Sequence, residues 1–369
     1  MVRAVTAAAK DLTAAARLRI EIAALARGGE YDLATARLCE LAALDLRAGL
    51  TADALLRSRQ AATIARDHAD LADELKAHLV LAMGLMESGA PESAEAAADL
   101  VLGQIGDCPD ERRLHLSTMS YLVRGIASRR AGHLEAARVA LGQARERAVR
   151  LGRADLSALI LAELGAVEVA GGDPLAAAVC FGFARDVRRL IGQPAAARVA
   201  AVLAVAAFVE AGEVALALGL VDDALAEAER ADDGLAVARL AAGRAEALLA
   251  AGDVDGARIA ADRAAELATL LPDDDARHEL GIAARLCQLR LEAEPGRQLM
   301  HLEAAVDHGL GRRDAAALAR AIDTVVTELV TGARPPEAWT IVAALAQACH
   351  GAGLGSLASL AAQALAELR

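Results

Sequence analysis

The sequence predicts an all-α protein, an α-solenoid of stacked antiparallel helical hairpins. Three observations carry this. Ala supplies about a quarter of the 369 residues, while aromatics supply 2%. Six glycines, Gly49, Gly89, Gly132, Gly172, Gly212 and Gly252, stand 40, 43, 40, 40 and 40 residues apart. Small residues recur at fixed offsets from each glycine, the mark of a repeat array. Seven residues before it stand Ala42, Ala82, Gly125, Gly165, Val205 and Ala245. Five after it stand Ala54, Ala94, Ala137, Ala177, Ala217 and Ala257. Twelve after it stand Ala61, Val101, Ala144, Ala184, Ala224 and Ala264.

Each element follows from this frame. A first helix over 3–27 precedes the array. Hairpins then follow at 30–47 with 51–68, 70–88 with 91–105, 110–131 with 134–151, 153–170 with 174–191, 194–211 with 214–230, and 233–251 with 254–271. Each turn glycine takes the left-handed position that ends a helix. Asp173-Pro174 and Asp253 open the helices that follow, since an acidic cap and a first-turn proline both suit a helix start. The small columns let helices approach closely, and such units bury their apolar faces only by stacking. Beyond Gly252 the motif degrades, with Pro295-Gly296 and Gly332 as its nearest equivalents. Helices are expected there at 274–294, 297–308, 312–331, 335–350 and 355–368. The organisation is therefore an N-terminal helix in 1–29, repeats in 30–309, and a degenerate repeat with a capping helix in 310–369.

The pattern of a small residue, then Gly-Asp seven later, then two Ala seven apart is clearest as Gly165…Gly172-Asp173…Ala177…Ala184. It resembles the tetratricopeptide repeat family. The resemblance implies a right-handed superhelix whose concave groove takes protein partners. The period near 40 residues is longer than the family's usual one and is similar to the bacterial regulator-type and kinesin-light-chain-type variants. Aliphatic residues fill the family's aromatic positions. The chain has no Asn at all, so the Lys/Asn clamp that some members use for chaperone tails is absent.

Charge and motifs exclude other classes. The net charge of −12 disfavours nucleic acid and anionic membranes as partners. The apolar run over 199–209 is far short of the roughly 20 residues that span a bilayer. The first residues carry no apolar leader core. The five cysteines are scattered and odd in number, which fits reduced thiols in a cytoplasmic protein. No Gly-Lys-Ser/Thr, HExxH or GxSxG motif occurs. The Gly351–Ser356 run reads as a turn between helices. His301, Glu303, Asp307 and His308 read as a surface cluster, and Asp273-Asp274-Asp275 as a cap. The expectation is a protein that is not an enzyme and has no cofactor or metal.

The resemblance also places a groove. Its positions lie thirteen, ten, six, three and two residues before each turn glycine, on the first helix of each hairpin. At Gly89 and Gly132 these include Lys76, Leu79, Met83, Met86, Met119, Leu122, Arg129 and Arg130. Methionines give an adaptable apolar surface. The segment from Arg112 to Arg153 holds ten Arg against Glu135 and Glu146, and adjacent Arg129 and Arg130 suit bidentate contact with an acidic group. The expected partner-binding set is therefore Met83, Met86, Met119, Leu122, Arg129 and Arg130. The expected function is a non-catalytic scaffold or adaptor that binds a peptide or helix, an acidic amphipathic segment fitting best. The alternative is a ligand-sensing module of a bacterial transcription regulator or signalling ATPase. The apolar last helix, with Leu354, Leu357, Leu360 and Leu365, suggests homo-oligomer contacts at that end.

Overall fold

A computed structural model describes residues 2–68, 71–108, 110–271 and 274–291, together with 300, 301 and 304. Every regular element among them is helical, and no strand occurs. The chain divides into two compact units, Met1–Gln193 and Pro194–Arg369. The expected last repeat and capping helix in 310–369 lie outside the described residues.

The first unit contains α1 (Val2–Gly28), α2 (Tyr31–Arg47), α3 (Thr51–His68), α4 (Leu71–Glu87), α5 (Pro91–Gln104), a 3₁₀ turn (Ile105–Asp107), α6 (Asp110–Arg130), α7 (Leu134–Arg150), α8 (Ala154–Ala170) and α9 (Pro174–Leu190). The second contains α10 (Pro194–Glu210), α11 (Val214–Arg230), α12 (Gly234–Ala250), α13 (Val254–Leu270) and α14 (Asp274–Leu291). Helix ends fall within three residues of those expected from the sequence.

Within each unit, consecutive helices pack side by side. Even-numbered helices also touch their next even-numbered neighbour: α2 with α4, α4 with α6 and α6 with α8, then α10 with α12 and α12 with α14. No comparable contact joins successive odd-numbered helices. The first helices of the hairpins therefore form a continuous inner layer in each unit.

The turns show why so short a link suffices. Gly172 adopts φ 75°, and its N–H bonds to the Val169 carbonyl at 3.1 Å while the Asp173 N–H reaches back to Glu168 O at 2.9 Å. This double bond closes α8 in a Schellman motif. Asp173 then caps α9, its Oδ1 accepting from the Ala176 N–H at 2.9 Å. Asp233 and Asp253 cap α12 and α13 in the same way.

A finer rhythm runs beneath the forty-residue period. From α7 to α13 every helix has 17 residues. Positive-φ residues recur every twenty positions at Gly132, Gly152, Gly172, Gly192, Gly212, Asp232 and Gly252. Asp232 is the one non-glycine among them, at φ 54°, and Asp tolerates that region better than most residues.

The small-residue columns are the packing surface. Ala54, Ala94, Ala137, Ala177, Ala217 and Ala257 are all fully buried, as are the residues twelve after each glycine. In the column seven before the glycine, the two glycines each face a large side chain nine after the turn glycine. A Cβ on Gly125 would fall 2.6 Å from Leu141, and one on Gly165 would fall 2.7 Å from the Phe181 ring. Where the first position is Ala82, Ala98 shares its core cluster. Cores are packed to near-crystal density, so a small residue opposite a large one keeps helix spacing even.

One junction breaks the rhythm. The 43-residue interval between Gly89 and Gly132 shortens α5 to 14 residues, inserts the 3₁₀ turn and extends α6 to 21 residues. Cys108, just after the turn, is buried in the same core cluster as Ile105 and Leu116.

Candidate functional site

A cavity of about 610 Å³ opens between α4 and α6 on the inner layer of the first unit. Leu79, Val80 and Met83 of α4 face Leu116 and Met119 of α6 across it. Asp73, Lys76, Arg112 and His115 give it a polar rim. The volume falls in the range of ordinary ligand pockets, and mixed apolar walls with a few polar groups are their usual lining.

The extra N-terminal turn of α6 makes this site. A 17-residue helix ending at Arg130 would begin at Leu114, so Arg112 lies in the added length and His115 and Leu116 in the turn beside it. Met83 is exposed and Met119 is half-buried against the core, so both side chains remain reachable. Lys76 is exposed and has no carboxylate at ion-pair distance among the described residues. Partial burial, then Arg153 and Lys76, push the His115 pKa below its ordinary value. The ring is therefore neutral at neutral pH, and acidification adds a positive charge to the rim.

The structure sorts the expected groove residues into three groups. Met83 and Met119 line the cavity. Met86 and Leu122 are core side chains, 6% and 2% exposed, which corrects the expectation that they meet a partner. Met86 is covered because α6 packs across α4 there and brings Val123 and Ala127 into the same cluster. Leu122 is covered by the next hairpin, in a cluster with Leu141 and Ile160.

Arg129 and Arg130 stand at the far end of α6, roughly 15 Å along the helix from Met119 at 1.5 Å per residue. Both are engaged. Arg129 Nη2 bonds Glu163 Oε2 of α8 at 3.1 Å. Arg130 donates to Glu87 Oε1 and to the Met86 carbonyl of α4, each at 2.9 Å. They clamp α6 to both inner-layer neighbours instead of offering a free basic edge. The basic groups beside the cavity are Lys76 and Arg112, which the sequence did not single out together. The irregular 43-residue interval was the signal that could have found Arg112 and His115.

Four further basic residues of the segment follow the same logic. Arg113 pairs with Asp110, Arg124 with Asp99 and Glu95, Arg138 with Glu135 and Glu168, and Arg153 with Asp155. The bidentate Arg153 contact holds the Asp155 carboxyl down to about 2. Glu168 ties α8 to α7 through Arg138 Nε and Nη2.

The cysteines Cys39, Cys108, Cys180 and Cys287 are not joined in disulfides. Burial pushes Cys39 up to about 11 and Cys287 up to about 12, so neither presents a reactive thiolate. Among the described residues no cluster of His, Cys, Asp and Glu could hold a metal ion, and no helix is long and apolar enough to cross a membrane. Glu303, Asp307, His308, the Gly351–Ser356 run and the last helix lie outside the described residues.

No protein-family model and no curated protein matches this chain. Solved structures do. The apo form of RapI is similar with a TM-score of 0.65 at 10% identity, covering 91% of this chain and 97% of that one. A STAND ATPase with a tetratricopeptide repeat sensor, from Pyrococcus horikoshii, reaches 0.60 at 12% identity, covering 75% of this chain and 43% of that one. A Rap protein complexed with Competence and Sporulation Factor reaches 0.54 at 13% identity, covering 92% of this chain and all of that one. The fold is thus the tetratricopeptide-type helical solenoid that the glycine and alanine columns predicted.

Proposed function

We propose that this chain is a non-catalytic regulatory adaptor, acting in the cytoplasm, that takes a short acidic and amphipathic peptide or helix on the inner layer of its first unit. The observation that carries the reading is the cavity between α4 and α6. It pairs flexible apolar walls at Met83 and Met119 with a polar rim in which Lys76 stands beside Asp73, Arg112 and His115. An apolar side chain anchored between the methionines, with a carboxylate beside Lys76, would use both features of one amphipathic segment. The Rap protein complexed with Competence and Sporulation Factor supports the reading, because a chain of similar fold there holds a bound factor. A cytoplasmic setting agrees with described cysteines that are not joined in disulfides.

Selection of random peptides displayed on phage against the full chain tests the proposal. Enriched peptides should be acidic and amphipathic. Met83→Glu and Lys76→Glu should each weaken their binding by about tenfold or more, an amount set by one lost apolar anchor or one reversed charge contact. Val169→Glu, an exposed change on α8 away from the cavity, should leave binding intact. Peptides that bind Met83→Glu and Lys76→Glu as tightly as the parent would overturn the site.

A further inference from the structure

The extra turn of α6 has a second side. At about 100° per residue, Asp110, Arg113, Leu114, Ser117 and Tyr121 fall opposite the residues that line the α4–α6 cavity. They border a separate cavity of about 680 Å³, closed by Leu102 of α5, Ile105 of the 3₁₀ turn, and Arg147 and Arg150 of α7. Leu102, Ile105 and Leu114 make its apolar wall.

Its charge is unbalanced. Arg113 is satisfied by Asp110 and by the Gly106 carbonyl at 3.4 Å. Six arginines of the basic segment reach carboxylates: Arg113, Arg124, Arg129, Arg130, Arg138 and Arg153. Arg147 and Arg150, three apart on one face of α7, reach none among the described residues. Arg147 is nonetheless held in place. Its guanidinium lies 4.5 Å from the Tyr121 ring centroid, and its Nη1 donates to the Gln143 side chain at 2.6 Å and the Gln143 carbonyl at 3.0 Å. A guanidinium fixed by stacking keeps its other N–H groups for a planar oxyanion at little entropic cost.

We propose that this cavity binds a small organic anion. Arg147 and Arg150 take its carboxylate or phosphate, and Leu102, Ile105 and Leu114 take an apolar or aromatic body. The volume admits a small molecule. This site is separate from the peptide site proposed above, since no residue lines both cavities.

The test titrates the full chain with 1-anilinonaphthalene-8-sulfonate, an aromatic oxyanion that brightens on leaving water. Saturable binding is expected. Phenyl phosphate or benzoate should displace the probe while benzyl alcohol, the neutral analogue, should not. The stronger of the two competitors identifies the head group. Arg150→Gln, at an exposed position, and Arg147→Gln should each weaken probe binding at least tenfold with unchanged far-UV circular dichroism, while Met83→Glu should have no effect. The site is refuted by absence of saturable binding, by equal displacement with benzyl alcohol, or by full affinity in Arg150→Gln.

Discussion

The α8–α9 hairpin and the α5–α6 junction differ in one respect, the length of chain between turns. In the hairpin, two 17-residue helices are joined at Gly172-Asp173, and Gly165 lies against Phe181. At the junction three added residues become a 3₁₀ turn and a longer α6, and both cavities described above border that longer helix. Regularity brings helices to close contact. Ligand-sized space arises where the period slips.

This contrast can be broken at its strongest point first. Ala177 has no exposed surface, so Ala177→Leu forces added atoms into a packed crossing and should cost about 3 kcal/mol. Ala72 lines the α4–α6 cavity, so Ala72→Leu has space to enter and should cost less than about 1 kcal/mol. Urea unfolding of the two variants makes the comparison, and equal losses would contradict it.

Gly165→Ala should cost about 1–3 kcal/mol, because its new Cβ would meet the Phe181 ring at 2.7 Å. Phe181→Leu in the same chain should recover part of that loss, a coupling that a double-mutant cycle measures. Asp173→Ala should cost about 1 kcal/mol through its lost cap. The start of α7 has no side-chain cap at His133, so His133→Ala should change thermal stability by less than about 0.5 kcal/mol.

The smallest effect concerns pH. Burial lowers the pKa of His78, and of His115 beside the cavity, from the ordinary 6.5. A histidine with a lowered folded pKa contributes stability in full above that ordinary value. The contribution is lost as pH falls below it through the folded value. Urea midpoints should therefore drop between about pH 7.5 and about pH 5.5, and His78→Gln should flatten the drop.

The fold was largely legible because its signals are local. A turn glycine and an alanine five residues later report backbone conformation and helix spacing directly, and Gly132, Ala137 and Gly125 each stand where such a residue is required. The twenty-residue rhythm was also on the page in Gly152 and Gly192, although Asp232 interrupts it as a run of glycines. The site was less legible because its chemistry depends on partners far along the chain. Arg130 reads as a free cation until Glu87, 43 residues earlier, is placed beside it. Met83 and Met86 read as equals, yet only α6 decides which is covered. Arg112 fell beyond the groove offsets because it stands in the added length of α6, and His115 because the offsets reach back only thirteen residues from the turn glycine.

The added turn of α6 borders both cavities, with Arg112 on one side and Asp110 and Arg113 on the other. If a molecule in one space restrains this turn, it also bears on the border of the other. Linkage then fixes a symmetry: whatever factor an anion imposes on peptide affinity, the peptide imposes on the affinity for the anion. Three residues inserted into a repeat thereby set one turn of backbone between two ligand-sized spaces.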